Sequence, residues 1–262
     1  MSQRFENKVI MITGAGSGLG RAVAEQLATE GATLSLSDIN MASLEETRAQ
    51  ILAANDATKT LLTTTNVAVE AEVKAFVDRT IENFGRIDGL YNNAGIEGKQ
   101  NPIADYSSEE FNRVIDINIK GVFYGLKHTL PHLAKQGSGA IVNASSVGGI
   151  RAVPNQVGYG ASKHAVAGMT RDAAIEYGQH GVSINAIAPG AIMTAMVKGS
   201  LIQIGGEDGW EEVGRQFVSV NPMRRFGHPK EVASLVSYLL SQEAAFINGA
   251  IIPIDGGQSQ AY

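Results

Sequence analysis

Short apolar runs alternate along this chain with longer segments of helical period. Val9–Thr13 reads as a strand, and Leu19, Val23 and Leu27 then fall on one face of a helix. Thr33–Asp38 reads as a second strand, followed by a helical stretch whose apolar positions are Leu44, Ile51 and Leu52. Further strands are predicted at Thr60–Asn66, Gly89–Asn92, Ala140–Asn143, Ser183–Ala188 and Ala250–Pro253, with helical segments between them. This alternation predicts an α/β fold, a doubly wound parallel sheet of about seven strands with helices on both faces, Rossmann-like in type.

No Pro- or Ser-rich linker divides the pattern and no short-period repeat is present, so residues 1–262 are expected to form a single domain. The irregular stretch is Met196–Val220, which holds the glycine-rich run GSLIQIGGEDGW. It follows the sixth strand, at the edge where ligands bind in open α/β sheets. Residues 193–220 are therefore expected to form a substrate-binding lid. Met193, Met196, Val197, Leu201, Ile202, Ile204 and Trp210 can give it an apolar underside suited to a small or cyclic ketone; the same residues also suit ordinary helix packing.

Composition narrows the classes. Of 262 residues, 44% are hydrophobic, which suits a normal core and excludes a disordered chain. A net charge of −5 gives no electrostatic footprint for nucleic acid or an anionic membrane surface. The absence of cysteine removes disulfides, thiol nucleophiles and Cys-ligated zinc. MSQRFENK lacks the apolar core of a signal peptide, and no run approaches about 18 apolar residues. A soluble cytoplasmic protein is expected, with no membrane or nucleic-acid partner.

Candidate chemistry begins at Thr13–Gly20, TGAGSGLG, between the first strand and the first helix. Gly14, Ser17, Gly18, Leu19 and Gly20 belong to a loop that lets backbone approach a pyrophosphate lying on the positive end of a helix. Asp38 ends the second strand, eighteen residues after Gly20, where a carboxylate accepts bonds from both adenosine ribose hydroxyls. It repels a 2′-phosphate, and neither Ile39 nor Ser17 offers a compensating positive charge. NAD is therefore expected over NADP. An aspartate at a strand end also suits a helix cap.

Tyr159 and Lys163 stand one helical turn apart in YGASK, and Tyr159 is the only one of seven tyrosines with a lysine at i+4. The spacing alone also suits a solvated surface pair. A free phenol ionises near pH 10, and lowering that by about three units takes roughly 4 kcal/mol. A lysine about 4 Å away supplies about that much at an effective dielectric near 20. Ser146, thirteen residues before Tyr159, can polarise a carbonyl or simply serve its turn. His128 and His132 in HTLPH lack the glutamate of a zinc-protease motif, Pro131 is expected to disturb the helix there, and no metal is expected.

Taken together, TGAGSGLG, Asp38, NNAG at Asn92–Gly95, Asn118 in DINIKG, Ser146, YGASK and Pro189–Gly190 resemble, in order and spacing, the short-chain dehydrogenase/reductase family, from Lys8 to Ile252–Gly257. The resemblance implies Ser146, Tyr159 and Lys163 as a catalytic triad. It implies Asn118 as the residue seating a water that links Lys163 to solvent. Asn92, Asn93, Ala94 and Gly95 would line the adenosine side. Pro189, Gly190, Ile192 and Thr194 would receive the nicotinamide carboxamide, and Lys163 would hold the nicotinamide ribose. Where the family usually has an aspartate against the adenine amino group, this chain has Asn66 and then Val67. Its amide oxygen can still accept.

The resemblance also implies a homotetramer, through faces around Phe111–Leu130 and Ala161–Tyr177. Asn92–Pro102, Ser146–Arg151 and PIDGGQSQAY are similar to cyclic-ketone reductases within the family. Arg151 and Gln156, with Ser146, Met193 and Met196, are candidate substrate contacts. The expected activity is hydride transfer between NAD(H) and a secondary alcohol or ketone. Two rival readings are a non-catalytic NAD-binding module and a nucleotide-sugar epimerase or dehydratase.

Overall fold

Each apolar run picked out above is a strand in the computed structural model, which describes residues 3–219 and 221–261. Val220, the last residue of the expected lid, and Tyr262 of the C-terminal stretch lie outside the described residues. The elements run β1 (Val9–Thr13), α1 (Gly18–Thr29), β2 (Thr33–Asp38), α2 (Met41–Ala54), β3 (Thr60–Thr64), α3 (Glu70–Phe84) and β4 (Gly89–Asn92). They continue with α4 (Ser108–Ile115), α5 (Gly121–Gln136), β5 (Gly139–Ala144), α6 (Val157–Tyr177), β6 (Val182–Pro189), α7 (Ala195–Ser219), α8 (Pro229–Leu240) and β7 (Ile251–Ile254). All pairings are parallel, in the order β3-β2-β1-β4-β5-β6-β7.

The strands were legible because a parallel sheet covered on both faces demands near-continuous apolar runs. Within β1, Ile10 and Ile12 point to a layer containing Val23 and Leu27 of α1, Leu44 of α2 and Leu239 of α8. Met11 points the other way, to Phe76 of α3, Leu126 of α5 and Val166 of α6. In α2, Leu44 and Ile51 are buried, while Leu52 faces solvent.

Three expectations shift. β3 stops at Thr64 rather than Asn66, because Asn66 turns the chain: its N–H donates to Glu72 (2.7 Å) and its side-chain oxygen accepts from Ala68 (3.0 Å). Helix α5 runs through Pro131 to Gln136. Met196–Val220, expected to be irregular, is helical up to Ser219 with one break at Gly206 (φ 74, ψ 174). The halves of α7 fold back on each other, with Leu201 beside Gly214 and Lys198 over the Trp210 ring at 4.7 Å.

The order reverses at β1 and β4, which leave toward opposite sides of the sheet. Their C-terminal ends form the crevice in which ligands bind in such folds.

Candidate active site

The crevice is fixed by Thr13 and Asn93. The Thr13 hydroxyl accepts the backbone N–H groups of Asn93 (2.9 Å) and Ala94 (3.0 Å). The Asn93 side chain donates back to the carbonyls of Thr13 (2.9 Å) and Gly14 (3.2 Å). Gly14 passes so near this segment, at φ 65, that a Cβ would lie 2.9 Å from the Ala94 Cα. Ser17 caps α1 in extended conformation without a side-chain bond to the first turn, and no acidic residue occupies that turn. An uncompensated positive helix end therefore faces the crevice.

Sheet order then sets the direction of the site. Asp38, on β2, lies to one side of β1, and Ser146 and Pro189, after β5 and at the end of β6, lie to the other. One cavity of about 520 Å³ joins them. Asp38, Ile39, Asn66 and Val67 line it with the glycine-loop residues Gly14, Ser17, Gly18 and Leu19. Asn93, Ala94 and Gly95 follow, and Ser146, Tyr159, Lys163, Pro189, Gly190, Ile192, Thr194 and Met196 complete the candidate residues that line it. Asp38 Oδ2 accepts the Gly16 N–H (2.9 Å) and Oδ1 the Asn40 N–H (3.1 Å), so both oxygens keep lone pairs for ribose hydroxyls. An extended groove with a free helix N-terminus and an acceptor pair at this position suits a dinucleotide.

Two further candidate residues work behind this wall. Gly20 is buried in α1 against the Gly14 carbonyl, so its part is packing rather than contact. Asn118 sits in a single π-helical turn, Asp116–Lys120, between α4 and α5. That turn aims its buried side chain at the peptide of Ile96, accepting the N–H (2.9 Å) and donating to the carbonyl (2.8 Å), with a third bond to Ser162 (3.0 Å). Asn118 thereby holds the Gly95–Ile96 wall beside Lys163.

Tyr159 and Lys163 share one face of α6, as their spacing predicts. Burial pushes the Tyr159 hydroxyl up to about 12; the Ser146 hydroxyl beside it pulls downward, and the charge of Glu97 adds to the rise. The Lys163 ammonium donates to the Ala144 carbonyl (2.7 Å) and lies over the Tyr159 ring, 5.6 Å from the centroid. Burial lowers Lys163 to about 8.

The lowered lysine has a stability consequence. Between about pH 8 and 10.5 the unfolded chain binds more protons at this site than the folded one. Folding then gains stability as pH rises through that window. Lys163→Met removes the titration. Wild-type thermal midpoints, measured from pH 7 to 10, are expected to rise relative to those of the variant; parallel curves would contradict the lowered value.

The substrate-side residues are less convergent. Arg151 donates to the Gln258 carbonyl, and Gln156 donates to Glu97. Neither lines the cavity, and nor does Met193, whose N–H is held by the Gly227 carbonyl (3.0 Å). Met196 does line it, with Ala195 and Val197 from the same turn of α7. Sequence reasoning missed Thr13, the first letter of TGAGSGLG and the stitch of the crevice. It also missed Glu97, an isolated charge just after NNAGI. His128 faces Glu70 of α3 at 3.1 Å.

The family model described as Enoyl-(Acyl carrier protein) reductase matches residues 14–259. The chain is 51% identical to levodione reductase of Leifsonia aquatica over 99% of this chain and 97% of that protein. It is 38% identical to cyclohexanol dehydrogenase of Acinetobacter sp. (strain SE19), covering 98% and 96%. A crystal structure of levodione reductase superposes with a TM-score of 0.97 at 50% identity, covering 99% of this chain and 100% of that one. NAD+-bound xylitol dehydrogenase superposes at 0.92 with 34% identity, covering 97% and 100%. The chain belongs to the short-chain dehydrogenase/reductase family and is an oxidoreductase of alcohol and ketone groups.

Proposed function

We propose that this enzyme interconverts a small or cyclic ketone and its secondary alcohol, with NAD(H) preferred over NADP(H) and Tyr159 as general acid and base. The observation that carries the reading is that Tyr159, Lys163 and Ser146 line the same cavity as Asp38 and the glycine loop. The coverage of relatives named for cyclic substrates supports the substrate class. Bound nicotinamide supplies the hydride chemistry.

The chain's own residues do the rest. In the ketone direction Tyr159 gives its proton to the carbonyl oxygen, which Ser146 orients; in the alcohol direction Tyr159 takes the proton back. A value of about 12 keeps Tyr159 protonated near neutrality, so a proton is in place for ketone reduction, whereas alcohol oxidation needs added positive charge beside the phenol to populate the phenolate. Lys163 has three N–H donors, of which the Ala144 carbonyl takes one, leaving two for a ribose and a relay water seated near Asn118. Gly14, Ser17, Gly18 and Leu19 take the pyrophosphate, Asp38 and Ile39 the adenosine ribose, and Asn66 and Val67 the adenine. The carboxamide falls to Pro189, Gly190, Ile192 and Thr194.

Asp38→Ala tests the cofactor choice. A 2′-phosphate about 4 Å from a carboxylate is repelled by about 1 to 4 kcal/mol between bulk-water and protein-surface dielectrics. The NADH/NADPH ratio of kcat/KM is expected to narrow by about fivefold or more. An unchanged ratio would assign the choice to another group. Steady NADH consumption across a ketone panel separates this reading from a binding-only module.

The reading extends to one nucleotide-binding domain with α7 as its lid, in a cytoplasmic homotetramer. Exposed Phe123 on α5 and Ile175 on α6 are the side chains proposed to meet across subunits. Among the described residues no helix is long and apolar enough to cross a membrane.

A further inference from the structure

Side chains from three distant parts of the chain meet beside the substrate end of the cavity, and none of them lines it. Glu97, just beyond the Asn93–Gly95 wall, is partly buried. One of its carboxylate oxygens accepts from the Gln156 side chain, in the turn before α6, and from Gln100 at 3.4 Å. The other accepts from the Ser200 hydroxyl in the first half of α7. Gln156 and Ser200 are both buried.

A partly desolvated carboxylate is costly unless its hydrogen bonds are met. Here neutral donors meet them. Arg113 is engaged with Glu110 at 2.7 Å, and Lys198 of α7 is turned to the Trp210 ring. Ser200 stands one helical turn after Met196, one of the α7 residues that line the cavity, and its hydroxyl also donates to the Met196 carbonyl (3.3 Å). Among the described residues, α7 is the only long helix without extensive backbone contact to another element. Whatever anchors its first half therefore decides where Met196 sits.

We propose that Glu97 is a positioning residue that latches the first half of α7 onto the turn preceding Tyr159, and so sets the gap that the ketone occupies between Met196 and Tyr159. The inference rests on the ketone reading of the site. It also explains why Gln156 is buried and turned away from the cavity.

The latch has an electrostatic signature. The charged and titratable groups around it are Tyr106, Glu110 and Arg113 from the segment leading into and through α4, Lys99 on its own loop, Lys198 on α7 and Tyr159 on α6. Arg113 and Glu110 offset each other, which leaves Glu97 as the charge that opposes proton loss from Tyr159. Burial holds the Glu97 carboxyl itself above the usual carboxylate range.

Four variants of the full chain test this with cyclohexanone and cyclohexanol as probes: Glu97→Ala, Ser200→Ala, the double variant and Glu97→Gln. Loss of a hydrogen bond to a charged group predicts a KM for cyclohexanone about tenfold higher in Glu97→Ala and in Ser200→Ala, with the dissociation constant for NADH unchanged. The double variant is expected to be no worse than either single, because both break one latch. Glu97→Gln keeps an acceptor and removes the charge. It should recover most of the KM while moving the acid limb of the kcat/KM profile for cyclohexanol oxidation to lower pH, a shift that a purely structural role does not produce. Unchanged KM values, multiplicative effects in the double variant, or an unmoved acid limb would overturn the latch. Tyr159→Phe is run alongside: if it stays active the ketone reading fails, whereas if it is inactive and the Glu97 variants behave as wild type only the latch fails.

Discussion

Tyr159→Phe is expected to lower kcat by about two to four orders of magnitude, the usual scale of a lost general acid or base. The substitution removes one oxygen and leaves the ring. The ring edge still packs against Gly148, where a Cβ would be 3.3 Å from Tyr159 Cε1, and still lies beneath the Lys163 ammonium. Lys163 keeps its bond to the Ala144 carbonyl, and Asn118 keeps the Ile96 peptide. Fold and cofactor groove should therefore survive. NADH fluorescence titration is expected to give an unchanged dissociation constant while ketone reduction at saturating NADH collapses. Turnover near that of the wild type would end the acid/base assignment.

The second large effect is expected at Gly20, through packing. A Cβ there would stand 2.1 Å from the Gly14 carbonyl oxygen and 2.8 Å from Asn93 Nδ2. Neither neighbour can yield cheaply: Gly14 is held by the approach of Ala94, and Asn93 by its bonds to Thr13 and Gly14. Overpacking of this kind costs about 1 to 3 kcal/mol, or more where the backbone must shift. At about 2 to 4 °C per kcal/mol for a chain of this size, Gly20→Ala should lower the thermal midpoint by several degrees. It should also weaken NADH binding, because the displaced carbonyl belongs to the phosphate loop. Gly209→Ala in α7, where a Cβ meets nothing within 4 Å, is the control and should leave both nearly unchanged. Equal behaviour of the two variants would refute the packing account.

The glycine-loop end of the candidate site was legible in the sequence for a physical reason. Backbone must approach backbone at Gly14 and Gly20, and only glycine permits this, so the requirement is written directly into residue identity. The strands were legible because the parallel sheet buries both faces, as in β6, where all eight residues are buried. The substrate half was not. Arg151 and Gln156 read as polar residues near Tyr159, but their partners lie 107 and 59 positions away, and local pattern carries no trace of such pairings. The i+4 spacing of Tyr159 and Lys163 gave proximity but not direction, since a flexible ammonium goes to the best acceptor in reach, here a backbone carbonyl. In α7 the glycines suggested disorder of pattern, yet only Gly206 leaves helical conformation.

The near-isolation of α7 from the sheet has a consequence for how such an enzyme can change. An element that leans on the body through few backbone contacts can be rewritten, residue by residue, at little cost to the nucleotide groove or the layers beneath it. Selection for a new alcohol can thus act on one appendage while the hydride machinery is inherited intact. With α7 as the proposed lid, exchanging that hairpin between relatives is expected to alter substrate preference.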